Sequence, residues 1–289
     1  MKYLHKSAIA LATLACAASF VLAGCGGGGG DSDTQQPAIR FAAEGFWGGP
    51  DVNATPPSPG PISPPWNGAT GHFWGTPSMP GNYLGMVVLS TGETWGIYTA
   101  DDVVVGALHG WTQTTGTNVT INKAHFFDIS QPGQSSPANT VTFSGAVSPR
   151  YQLDITDITD ITDNPGPHFL AVYDTSYDQA ASLSTLANTY TGTGGTTRST
   201  NPGTHYSISI DGNGAITLPP DAEGCSASGT ATPHTDKNLF DISLQFSGTN
   251  CALGNGAVVN GIAVLANDGH LWMMGATKND TDEFIYVSQ

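Results

Sequence analysis

Any catalytic or metal chemistry in this 289-residue chain would rest on its histidines, its carboxylates and its hydroxyl or thiol nucleophiles. Past the first 24 residues the histidines are His72, His109, His125, His168, His205, His234 and His270. None stands at His-x-His, His-x-x-x-His or His-Glu-x-x-His spacing, the arrangements that bring two ring nitrogens to one metal ion. His72, His125 and His168 each precede a phenylalanine in a strand-like stretch, which predicts strand or rim positions. The densest acidic run is Asp154, Asp157, Asp160 and Asp163, punctuating a threefold Asp-Ile-Thr repeat. A calcium loop sets carboxylates two apart around a tight turn. A spacing of three fits neither that loop nor one face of a strand, so the repeat is expected to form a surface loop, with its four aspartates as calcium candidates. Asp280 and Asp282 with Glu283 form a second acidic group. Asp211-Gly212-Asn213-Gly214 opens like a calcium loop but lacks the later ligands, and it reads as a hairpin turn. Ser226, in Gly224-Cys225-Ser226-Ala227-Ser228, misses the final glycine of the Gly-x-Ser-x-Gly elbow and lies in a strand context. The expectation is a protein without catalytic residues and without a cofactor.

The tryptophans are the remaining candidates for binding, since an indole joins a large apolar area to one hydrogen-bond donor. Trp95 and Trp272 each follow a hairpin glycine inside an apolar strand and are expected in the core. Trp47, Trp66 and Trp74 flank a proline-rich stretch, 50–65, and are the candidates for ligand binding at the surface. That stretch holds seven prolines, which no central strand tolerates. It separates two copies of a short phrase, Gly45-Phe46-Trp47-Gly48 and His72-Phe73-Trp74-Gly75.

The elements that must position these residues are short strands divided by glycine turns. Stretches at 83–90, 94–99, 103–111, 117–127 and 140–147 follow one another in the rhythm of an antiparallel meander. Tyr177, Ala180, Ala181 and Leu183 then fall at helical spacing. After them 206–210, 215–218, 225–232, 239–246, 258–266, 271–276 and 284–287 read as further strands. With 188–192 they number eight, enough to close a small barrel. The chain is therefore expected to be all-β, with two antiparallel β-barrel or meander lobes, 41–175 and 187–289, joined by a short helix over 176–186. The Val87–Thr94 and Ile208–Ala215 turns align in pattern, as do Gly106 and Gly110 with Gly224 and Gly229, which suggests diverged copies. The second lobe is expected to fold as a closed unit by itself.

Charge and cysteine usage bear on surroundings. Lys2 and Lys6 begin the chain and residues 8–22 are almost wholly apolar, a run shorter than the ~20 residues of a spanning helix and fitting a signal-peptide core. Leu22-Ala23-Gly24-Cys25 then resembles the lipobox of bacterial lipoproteins. The resemblance implies removal of 1–24, lipidation of Cys25 and anchoring in the bilayer. With Gly26 rather than Asp after the cysteine, it implies the outer membrane. Residues 25–40, rich in glycine, read as a flexible tether. Once Lys2 and Lys6 are removed, six basic residues face 23 acidic ones, a net charge of −17. Phosphate backbones would repel such a chain, so nucleic acid is excluded as a partner. Cys16 leaves with the signal and Cys25 carries lipid, so Cys225 and Cys251 are predicted to pair as a disulfide in an oxidising compartment.

The join and second lobe resemble a recurrent pattern in uncharacterised proteobacterial lipoproteins. It is carried by Tyr177, Ala181-Ser182-Leu183, Leu186-Ala187-Asn188-Thr189-Tyr190, Asp211-Gly212-Asn213-Gly214, Gly224-Cys225, Gly229 and Cys251. Two β lobes on a lipid tether are also similar, in architecture alone, to surface receptors of the transferrin-binding type. The reading is a lipid-anchored outer-membrane protein acting as a non-catalytic binding or structural module toward a protein or glycan. A lipid-anchored envelope enzyme or enzyme inhibitor, and a surface receptor for a host or environmental ligand, are the alternatives.

Overall fold

The fold is that of a computed structural model describing residues 41–50, 82–100, 103–128, 139–158, 168–198, 204–266 and 269–288. Among the described residues, sixteen antiparallel strands form two closed eight-stranded barrels. The first comprises β1 (Gly45–Pro50), β2 (Asn82–Val88), β3 (Glu93–Ala100), β4 (Val103–Thr115), β5 (Asn118–Asp128), β6 (Asn139–Ser148), β7 (Gln152–Asp157) and β8 (His168–Tyr173). The second comprises β9 (Asn188–Thr196), β10 (Thr204–Ile210), β11 (Ala215–Leu218), β12 (Ser226–Pro233), β13 (Phe240–Ser247), β14 (Val258–Leu265), β15 (Leu271–Thr277) and β16 (Glu283–Ser288). Between them lie one 3-10 turn, Thr175–Asp178, and one helical turn, α1 (Leu183–Leu186). The helical join is thus two separate single turns.

Inward positions follow from the strand register. In the first barrel Trp47 stands beside Met86, Val147 beside Leu153, and Ile155 beside Phe169, all buried. In the second, Ile208, Ile216, Leu244, Phe284 and Tyr286 fill the corresponding rows. Small inward residues let the sheet bend tightly. A Cβ built on Gly229 would lie 1.9 Å from the Ser243 carbonyl oxygen, so no other residue fits there. Cys225 and Cys251 are joined by a disulfide across 26 residues, tying β12 to the loop before β14.

The two barrels repeat one hairpin. Between β2 and β3, Leu89 N–H donates to Glu93 O and Gly92 N–H to Leu89 O, while Thr112 N–H donates to Gly92 O. Between β10 and β11 the same three bonds join Asp211 to Ala215, Gly214 to Asp211 and Ala231 to Gly214. Gly92 and Gly214 both take a left-handed φ, 87° and 83°. Leu89 therefore corresponds to Asp211, one residue away from the match by sequence pattern.

Three expectations are corrected. The Asp-Ile-Thr repeat does not begin as a surface loop: Asp154 and Asp157 lie in β7, because Leu153 and Ile155 alternate with polar residues and point inward. Asp160 and Asp163 lie outside the described residues, as do Trp66, Trp74 and Cys25. Trp47 is no surface ligand-binder. It is 0% exposed, its Nε1–H donates to Ala43 O at 2.9 Å, and its ring meets Tyr173 edge-on.

The third correction concerns independence. β13 alternates buried and exposed positions, but every residue of β16 and all but the last of β15 are buried. A barrel strand buried on both faces needs an outside partner. Here the outward row Ile262, Val264, Trp272, Met274, Ile285 and Val287 joins one apolar cluster with Phe46, Val87, Trp95, Ile97 and Ala107 from β1–β4 of the first barrel. The Phe46 and Trp272 rings meet edge to face at 5.1 Å. Both barrels accordingly belong to one compact unit.

Each of those large side chains loses roughly 1.5–3 kcal/mol of burial if exposed. A fragment of residues 187–289 alone should bind a hydrophobic dye and self-associate, and co-expression with 41–186 should suppress both; a monomeric, dye-negative fragment in light scattering would contradict the seam. Cys225→Ser should lower the stability of the whole chain by roughly 3–4 kcal/mol in denaturant titration, without dissociating the barrels.

Candidate functional site

Charge gathers at one rim of this seam. β4 turns His109 outward, opposite Trp95 on β3 and His125 on β5. From the second barrel the β15–β16 turn, 278–282, brings Asp280 against them. That turn is closed by Asp280 N–H donating to Thr277 O and Thr277 N–H to Asp282 O, both at 2.8 Å. Asp280 holds a left-handed φ of 56°, a conformation that aspartate tolerates better than most residues.

His109 Nδ1 donates to Asp280 Oδ1 at 2.7 Å and Nε2 to Glu93 Oε1 at 3.1 Å. A neutral imidazole carries one N–H, so a ring with carboxylates on both nitrogens is the doubly protonated imidazolium. Burial opposes that charge and is the largest single influence, but the bonds to Asp280 and Glu93 together outweigh it and the pKa is pushed up to about 9. Trp95 stacks on the cation at 3.8 Å and 22°, and Trp111 flanks it at 5.3 Å. His125 Nδ1 donates to the Asp280 carbonyl at 3.0 Å, so two histidines of one barrel grip one residue of the other.

Glu283, the first residue of β16, is 0% exposed, and neither carboxyl oxygen has a hydrogen-bond partner. Burial foremost, and Asp280 to a lesser extent, hold its pKa well above the usual carboxylate range, against the opposing pull of His109. The group therefore holds its proton to higher pH than an exposed glutamate does.

A second tie lies where the join meets the seam. Lys237 Nζ donates to Glu44 Oε1 at 2.6 Å, with Tyr177 O–H on the same oxygen at 3.3 Å and the Lys237 ammonium 5.8 Å above the Tyr177 ring. Arg150 forks onto Asp178 at 2.7 and 2.8 Å, and Tyr173 O–H donates to Asp178 as well. Burial raises the phenol pKa of both tyrosines, aided by their neighbouring carboxylates, so each remains a donor.

These groupings hold protein to protein. His109 has no free nitrogen with which to take a substrate proton or bind a metal ion. Among the described residues, no group of three or more His, Cys, Asp or Glu is arranged to hold a metal ion. Asp154 is engaged with His168 at 2.5 Å and Asp282 with Arg198. A shallow depression of about 450 Å³ on the second barrel is lined by Asn188, Thr189, Ser209 and Asp211. Its carboxylate, Asp211, is occupied by the amides of its own hairpin, which hold its pKa low. Ser226 donates to Ser247 O, with no base beside it in that bond.

Among the described residues the exposed tryptophan is Trp111, at 55%, next to His109 and opposite Glu93. Trp95 and Trp272 are buried, as the sequence predicts, but in the seam rather than inside either barrel. The juxtaposition of His109 and His125 was traceable in principle, because they lie six and seven residues from the Thr115–Asn118 hairpin and so pair across it. The contact with Asp280, 171 residues away from His109, carries no such signal.

The chain matches no protein-family model, no curated protein and no solved structure.

Asp280→Asn removes one of the two carboxylates that hold His109 cationic. The His109 pKa should then fall from about 9 by roughly one to three pH units in an NMR titration of the imidazole resonances. An unchanged value would show that Asp280 does not charge the ring.

Proposed function

We propose that this chain is a lipid-anchored protein of the bacterial outer membrane, whose double barrel is a non-catalytic binding or structural module. The observation that carries the reading is Leu22-Ala23-Gly24-Cys25 after the apolar run 8–22, with the glycine-rich tether beyond it. The Cys225–Cys251 disulfide supports export, since such bonds persist in oxidising compartments. The engaged state of His109, Asp280, Asp154 and Asp282 supports a module without chemistry, as each spends its charge on another residue of the chain.

Exposed Trp111 favours a more specific form of this reading, a receptor for a protein or glycan partner. An indole on a charged, rigidly backed rim gives a partner both apolar area and a donor. Trp111 takes the place proposed from sequence for Trp47.

Cys25→Ser should abolish incorporation of labelled palmitate and leave the uncleaved precursor; membrane anchoring at wild-type levels in that variant would defeat the lipoprotein assignment. For the binding face, a photo-crosslinking residue placed at Trp111 in intact cells should capture a discrete partner. The same residue at Ala146, exposed on the first barrel away from the seam, should not. Equal labelling from both positions would remove Trp111 from the binding surface.

A further inference from the structure

The rim cluster holds two protons that solvent-exposed side chains would not hold under the same conditions. His109 needs both ring protons, because each nitrogen faces a carboxylate oxygen, one from its own barrel and one from the other. Glu283 lies at the same end of β16, wholly buried and without a hydrogen bond to either oxygen. An ionised carboxylate placed so would face a desolvation penalty with no donor to offset it. The other titratable groups facing the pair are Glu93 from β3, His125 from β5 and Asp280 from the β15–β16 turn. Asp282, next in the chain, is taken up by Arg198, and Lys278 in the same turn is exposed.

We propose that the seam is a proton-linked joint: the joined barrels keep one proton on Glu283 and one on His109 that they release on parting, so acid tightens the joint and alkali loosens it. The joint acts whether or not the chain is anchored to a membrane, and it makes the mutual hold of the two barrels responsive to the pH around them.

The signs of the two groups agree. His109 has a folded pKa of about 9 against an ordinary value of 6.5. Its stabilising contribution is therefore complete below 6.5 and is lost as pH rises through about 9. Glu283 is also raised, from an ordinary 4.5, so its contribution is complete below 4.5 and declines as pH rises above that. From mildly acid to alkaline conditions both groups work in one direction. Each proton held only by the joined state lowers the folding constant by up to about tenfold per pH unit while it is being released.

The full chain carries its own reporters, since Trp95 stacks on His109 and Trp272 packs on Phe46 in the seam. Tryptophan fluorescence during thermal unfolding, between pH 5.5 and 9.5, should show wild-type stability falling steadily with pH. Glu283→Gln, a neutral isostere, should lie closest to wild type at pH 5.5 and gain a stability advantage over it that widens toward pH 9. His109→Gln should be less stable than wild type at pH 5.5 and converge on it by pH 9.5. Where Glu283→Gln fails to fold, Glu283→Leu keeps the position neutral and serves the same comparison. Infrared spectra of the wild-type chain should retain the carbonyl band of a protonated carboxylic acid above the pH at which exposed glutamates ionise, and the Glu283 variant should lose it. Variants whose stability runs parallel to wild type across the whole range, or a wild-type spectrum without that band, would overturn the joint.

Discussion

The outer walls of the two barrels bury one another, and the other features of the structure depend on that burial. An eight-stranded barrel of this size has an interior just wide enough for its own side chains, as Trp47, Phe169 and Tyr286 show. Its stability then rests on a modest core. Here the outside of β1–β4 and of β14–β16 adds a second apolar layer, from Phe46 and Ile97 on one side to Met274 and Val287 on the other. Neither wall could face water without a large exposed apolar patch. The closed sheets settle the edge problem within each barrel, while the seam decides that the barrels operate as a pair.

Charged residues at the border of this layer set its register. Apolar walls attract without direction, so two smooth barrels could slide past each other. The Glu44–Lys237 bond at one border and the His109–Asp280 bond at another fix both ends. Buried ion pairs add little net stability compared with well-packed apolar groups, but a misplaced one leaves an unpaired charge and is strongly unfavourable. That asymmetry makes them good devices for alignment. It also explains why two strongly perturbed titrating groups, His109 and Glu283, sit in the joint between the barrels. Trp111 gains a firm backing as a consequence, since its neighbour His109 is locked between two carboxylates.

The barrels themselves were legible in the sequence. Alternation in Phe240–Ser247 and the Asp211–Gly214 turn specify strand and hairpin by local chemistry, and seven of the eight strands of the second lobe lie within one or two residues of their predicted places, while β9 runs on past 192 to Thr196. In β7 two rhythms overlap. Leu153 and Ile155 alternate with period two, while the aspartates repeat with period three and mask that alternation. The seam also had a signature: Leu271–Ala276 and Phe284–Val287 are nearly continuous apolar runs, the mark of a strand buried on both faces. Counted as barrel strands, they should have shown polar outward positions, and their lack of them implied a partner wall. The rim cluster had no comparable signal, because it is assembled from side chains brought together only when both barrels are closed and docked.

If the two barrels form one body, they must unfold together. Differential scanning calorimetry of the chain from residue 41 onward, with the disulfide intact, is the most direct measurement. A single transition whose van't Hoff and calorimetric enthalpies agree is the expected result. Two resolved transitions, one for each barrel, would mean that the seam contributes no cooperativity and would contradict the account.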